Sequence, residues 1–276
     1  MKKILVTAFL VFVYACSVKA QFYYKDIISN NQLFKEMALY KENKVRSVAI
    51  KSFEDDGSES DGFFCEKKLS KDYKKTELFT RSNVSGASLF TSWFNNKGQL
   101  MRTNDSSVIS VTVNNYSYDD RDRVKSIVSS VRSTDDDFVN EILEEHIYVY
   151  QDKNLPEKMI RVKNKYDSIV ILFLTDEKNN ISIEKDTKSG SKYYYYYDEK
   201  DRLTNIAHSN EFKQAISTDY LFEYNNANQV SQMITTEEGG SYYYIWRYTY
   251  SNGLRSTEKC FSKEKRLMGK IEYEYK

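Results

Sequence analysis

Tyr195-Tyr196-Tyr197-Asp198-Glu199-Lys200-Asp201-Arg202-Leu203 reads as a strand, a polar turn and the start of a second strand. Alternate aromatics cover one face of an extended segment, while Asp supplies turn hydrogen bonds and tolerates left-handed backbone, so the chain folds back antiparallel. The same writing recurs in Tyr116-Ser117-Tyr118-Asp119-Asp120-Arg121-Asp122-Arg123-Val124 and in Phe222-Glu223-Tyr224-Asn225-Asn226-Ala227-Asn228-Gln229-Val230. Looser copies lie at Trp93–Leu100, Tyr148–Leu155 (closed by Pro156, the only proline), Phe173–Ile181 and Tyr248–Leu254. Their anchors at 94, 118, 150, 175, 197, 224 and 250 are 22 to 32 positions apart. A lone hairpin is marginal in water, so seven copies imply one continuous antiparallel meander.

The chain upstream fits this pattern. Met1-Lys2-Lys3 followed by the apolar run Ile4–Tyr14 is a secretory n- and h-region, too short to span a bilayer. Val18-Lys19-Ala20 places cleavage before Gln21; Val13-Tyr14-Ala15-Cys16 is the competing, degenerate lipobox, in which Cys16 carries lipid. Residues 21–86 read as a short helix and the first strands, and 87–276 as the hairpin repeats. The helix is expected from a capping box at Ser29 and Gln32, a staple of Ile28 on Leu33, and an end near Asn43. From Val45 the period changes to 2, with strands expected at Val45–Ile50, Gly62–Leu69 and Thr76–Ser82. The fold class is therefore all-β: a long antiparallel meander, curled or elongated, with a short N-terminal helix.

The pattern Tyr-x-Tyr-Asp-x-x-x-Arg-Leu resembles the YD repeat of the Rhs and teneurin type, and especially the short exported YD-like proteins of Bacteroidota. The resemblance covers about residues 87–276 and is tightest in the copies at 116–124 and 195–203; there Asp122 and Asp201 stand where the repeat usually has Gly. It implies a β-sheet scaffold and no activity.

Composition narrows the function classes. Forty-one basic against 40 acidic residues leave no electrostatic footprint for nucleic acid. Cleavage before Gln21 removes three of the 41, giving 38 against 40 and a net −2. A mean hydropathy of −0.67 excludes a polytopic helical membrane protein. An outer-membrane barrel needs a continuous apolar outer band, whereas Glu157–Lys163 carries charge on both strand faces. Cys65 and Cys260 remain after cleavage, and either a disulfide or two buried thiols fits them.

Catalytic signatures are missing: GxSxG, HExxH and P-loop are all absent. Glu144 and His146 share a strand face, and a solvated face is the expectation over a metal pair; His208 is expected to be exposed at a strand end. The carboxylates of 119–122 and 135–137 lack calcium-loop spacing and read as turn formers. No enzyme, cofactor or metal is therefore expected.

Aromatics are the strongest feature, with twelve of 24 Tyr between residues 193 and 250. Tyr193–Tyr197 puts rings on both strand faces, more than a single sheet buries. Tyr194, Tyr196, Tyr243 and Trp246 are the expected binding residues. The expected role is an exported envelope scaffold, periplasmic or outer-membrane-associated but not integral, offering this surface to a protein partner. The alternative is a carbohydrate-binding module using the aromatic rows.

Overall fold

The computed structural model describes residues 22–276 apart from 136, 138–140, 210–214 and 238–240. The export readings at residues 1–20 thus fall outside the described residues. Among the described residues one helix, α1 (Lys25–Glu42), precedes eighteen strands. They are β1 (Ser47–Phe53), β2 (Phe64–Leu69), β3 (Lys75–Ser82), β4 (Gly86–Phe94), β5 (Leu100–Ser107), β6 (Ser110–Tyr118), β7 (Val124–Ser133), β8 (Ile142–Val149) and β9 (Lys158–Lys163). The second half comprises β10 (Asp167–Thr175), β11 (Ile181–Asp186), β12 (Lys192–Tyr197), β13 (Leu203–Ser209), β14 (Ser217–Tyr224), β15 (Val230–Thr236), β16 (Tyr243–Ser251), β17 (Leu254–Ser262) and β18 (Leu267–Tyr275).

Every strand pairs antiparallel with its chain neighbour, as in Tyr116 opposite Ile127 and Tyr195 opposite Ile206. The expected pairings across both of those turns are therefore present. The sheet does not stay open. β1 pairs with β18, Val48 opposite Tyr275 and Phe53 opposite Lys270, and the ring closes into a barrel. This corrects the expectation of a curled or elongated sheet. Strand β18 supplies an eighth anchor, Tyr275, and the partner that β1 needs.

Local geometry explains the repeat. Asp198 caps its turn by accepting from the backbone N–H of Lys200 and Arg202, at 2.9 and 3.0 Å. Arg202 grips the same carboxylate through Nε at 2.7 Å, which draws Asp198 down to about 2. Asp119 and Arg123 repeat the arrangement, with Nε again 2.7 Å from the carboxylate. Each arginine also reaches the next hairpin, stacking its guanidinium on Tyr150 (from Arg123, 4.3 Å) or Tyr224 (from Arg202, 4.5 Å). Asp122 and Asp201, at the position usual for Gly, adopt φ of +62° and +58°, a conformation Asp tolerates. The following strand then enters through a one-residue bulge, between Ser117 and Tyr118 or Tyr196 and Tyr197 on the partner.

These turns all lie on one rim, and α1 is seated inside that end of the barrel. At ~1.5 Å per residue its 18 residues reach roughly 27 Å across the interior. Its first turn meets β8, β10, β11 and β12, where Tyr24 packs on Phe173 and Tyr195. Its last turn meets Tyr275, 6.2 Å from Tyr40 between ring centroids. Gly98 and Gly253, both at φ +80° in rim turns, let Phe34 and Leu39 approach within 3.4 and 3.3 Å of where a Cβ would stand. Inward side chains near this rim, such as Leu100, Ile171, Ile181 and Tyr195, are buried. Those nearer the other rim, such as Asp105, Thr112, Ser129 and Thr235, are half-buried and polar.

The helix starts one turn earlier than its capping box predicts. Ser29 lies inside it, and no side chain of the cap residue Tyr24 closes its start. A residue 161 positions away does so instead: Glu184 accepts from the N–H of Tyr23 and Tyr24, at 2.8 and 2.9 Å. The end at Asn43 is as expected. Cys65 and Cys260 are buried free thiols, and burial pushes Cys260 up to about 12.

Candidate functional site

Strand alternation sorts the aromatic segment into two faces. Tyr193 and Tyr195 are buried against Phe22 and Tyr24 inside the barrel, and the Tyr197 hydroxyl donates to the Ile181 carbonyl. Tyr194 and Tyr196 therefore project from the outer wall, where Tyr196 is 44% exposed. On β16 the even positions are inside, so Tyr243 also faces outward. Trp246 does not. It is 3% exposed, packed with Tyr248 and Cys260 and opposite Met233. Its placement beside Tyr243 in a binding surface is corrected by parity: residues 243 and 246 lie on opposite faces of one strand.

Tyr196 heads a row that runs across the outer face: Tyr196, Asn205, Leu221, Ile234, Ile245 and Phe261 stand opposite one another in register. A parallel polar row holds Glu223, Gln232, Arg247 and Lys259. Gln232 donates to Glu223 at 2.9 Å and accepts from Arg247 at 3.2 Å. Between the rows lies a groove of about 420 Å³ bounded by Tyr196, Asn205, Leu221, Glu223, Gln232 and Ile234. Asn205, Glu223 and Gln232 were not expected from sequence, because only cross-strand register brings them beside Tyr196. Tyr194 lies one row away, opposite Ile183 and Ala207, and Tyr243 lies toward the other rim opposite Thr236.

The histidines correct a second expectation. His146 points inward and bridges two carboxylates, with Nδ1 2.6 Å from Asp26 of α1 and Nε2 2.9 Å from Glu144. Burial opposes its charge, but Asp26 and Glu144 outweigh it and raise His146 to about 9. Tyr148 donates to the same Asp26 carboxylate at 2.9 Å, and Arg161 joins Glu144 at 3.1 Å and the Tyr23 hydroxyl at 3.0 Å. Glu184 is pushed up to about 7 by burial, against the pull of the two helix N–H groups and the Tyr195 hydroxyl. This network docks the helix to the wall; it is not a solvated strand face. His208 is likewise part-buried, 2.8 Å from Asp219.

No family model matches the chain, and no curated protein matches it. Among solved structures it is similar to a porin-like protein from Bacteroides uniformis, with 9% identity and a TM-score of 0.43, covering 84% of this chain and 96% of that one. A porin-like protein from Bacteroides vulgatus gives 11% identity and 0.29, over 84% and 98%. The structure described as TcdB2-TccC3-TEV gives 11% and 0.36, over 79% of this chain and 12% of that one. Likeness of this order leaves the functional question to the geometry of the chain itself. Among the described residues no helix is long and apolar enough to cross a membrane, which says nothing of a β-barrel.

Proposed function

We propose that this chain is a non-enzymatic, exported envelope protein: a plugged β-barrel scaffold whose outer wall docks onto a protein partner. The observation that carries the reading is the asymmetry of that wall. From β8 to β13 apolar side chains align in outward rows, with Ile147, Ile160 and Val170 in one and Leu174, Ile183, Tyr194 and Ala207 in another, while the row between them sets Leu172 beside Lys158 and Lys185. From β18 through β3 ion pairs line the wall, Lys51 with Glu274, Lys270 with Glu272 and Lys75 with Glu77, around the outward pair Phe64 and Phe79. Apolar rows exposed on a wall and edged by lysines mark a contact site. The charged arc argues against a membrane-spanning barrel, since outward charges at mid-bilayer cost about 2–4 kcal/mol each.

Export to the periplasm or the inner side of the outer membrane rests on the leader-like residues 1–20, with Gln21 as the mature start and Cys16 lipidation as the lesser alternative. Kinship with YD-repeat proteins belongs to the same reading, supported by the turn and arginine strut shared by the copies at Asp119 and Asp198. The test is photocrosslinking in intact cells from a probe placed at Leu172 on the apolar sector or at Lys51 on the charged arc. A discrete protein adduct from position 172 alone is expected. Equal labelling from both positions, or adducts to lipid only, would overturn it.

A further inference from the structure

The groove between β12 and β15 is unused by helix docking or by the repeat struts, and it adjoins the row of Tyr194 and Ala207 on the wall assigned to a protein partner. Its volume of about 420 Å³ falls within the ~300–1,000 Å³ typical of small-ligand sites. Leu221 and Ile234 form an apolar floor, and Tyr196 stands as one wall. Glu223 and Gln232 form a hydrogen-bonded ledge along the edge. Within the site the Oδ1 of Asn205 is shielded from water and has no hydrogen-bond partner. A shielded acceptor left unpaired carries a desolvation cost of about 1–3 kcal/mol, which a donor in the groove relieves once the Asn205 amide turns toward it.

We propose that this groove is a saccharide-binding site for a short neutral glycan. A pyranose ring has an apolar C–H face, which suits the Tyr196 ring and the Leu221–Ile234 floor. Its rim of hydroxyls both donates and accepts, which matches Asn205 as acceptor and the Glu223–Gln232 ledge. The Glu223 carboxylate disfavours acidic sugars. An extended peptide is a poor occupant, because recognition by strand addition needs a free sheet edge and β1–β18 pairing closes the ring.

The experiment is a screen of the purified protein on immobilised neutral glycans (β-glucans, mannan, xylan and chitin oligosaccharides), followed by calorimetric titration with the hexasaccharide of the best hit. Tyr196→Ala and Asn205→Ala are each expected to weaken binding by roughly tenfold or more. Tyr196→Phe, which keeps the ring, and Tyr243→Ala, outside the groove, are expected to bind as the parent does. Unchanged melting midpoints separate lost contacts from lost fold. Retention of no neutral glycan, retention of acidic glycans only, or a hit indifferent to Tyr196→Ala overturns the proposal. Crosslinking from Leu172 is independent of these variants, so failure here leaves the docking reading standing.

Discussion

The hydroxyl of Tyr197 donates to the carbonyl of Ile181, and five further tyrosines do the same one hairpin along the ring. Tyr118 reaches Leu100, Tyr150 reaches Val124, Tyr224 reaches Leu203, Tyr250 reaches Val230 and Tyr275 reaches Arg255, all at 2.7 to 2.8 Å. The acceptor is the carbonyl at the entry of the preceding hairpin's second strand, where the bulge has broken the ladder. Each anchor tyrosine thus satisfies a group its neighbour's turn leaves open. The anchors Phe94 and Thr175 have no phenol, so they cannot make this bond. Tyr197→Phe should cost about 1 kcal/mol, the net worth of one such hydrogen bond, because Ile181 is fully buried. Phe94→Tyr should not change stability in the same direction. A lowered urea midpoint with unchanged slope would report the first effect, and an unmoved midpoint would show that the latch is idle.

Helix α1 is held by electrostatics that sequence spacing did not announce. Its mean character is barely amphipathic, and Lys67, Glu36 and Tyr40 form a second polar contact near its far end, with Lys67 3.0 Å from Glu36. The pH response follows from the first-turn network. His146, raised to about 9 by Asp26 and Glu144, contributes stability that is complete below about 6.5 and lost as pH rises through about 9. Glu184, raised to about 7 by burial, acts in the same direction: its contribution is complete below about 4.5 and lost as pH rises through about 7. The melting midpoint should therefore fall between about pH 4.5 and 9, with His146 accounting for about 3 kcal/mol of it above about pH 6.5. In His146→Gln the loss between about pH 8 and 9 should vanish. A parent midpoint that is flat over this range would count against helix docking through His146.

Closure of the ring is what spares this protein an exposed sheet edge. A meander of eighteen strands left open would present two rows of unpaired backbone groups, the usual template for aggregation. Here β1 and β18 pair over six residues, and the backbone carbonyl of Lys276 accepts from Ser47 N–H at 2.9 Å. Truncation before Leu267 should strand the edges of β1 and β17 and drive the chain into oligomers or aggregates larger than any the full-length chain forms. Light scattering on the truncated and full-length chains decides this; a monomeric truncated chain would show that the β1–β18 seam is dispensable.

Strand alternation, turn chemistry and the hairpin unit were legible in the chain, because each depends on residues within about ten positions of one another. The Asp–Arg turns, the strands on either side of them and the outward Tyr194, Tyr196 and Tyr243 follow from that local pattern. Trp246 falls on the face opposite Tyr243, and that parity too is legible within the one strand. Closure, the helix seat and the groove were not legible. Closure joins residue 48 to residue 275, the helix cap joins Tyr23 to Glu184, and the groove joins Tyr196 to Asn205, Glu223 and Gln232 through strand register. Local sequence sets which way a side chain points along its strand. Which groups then meet is decided by pairing and curvature summed over the ring, and a single strand carries no record of that.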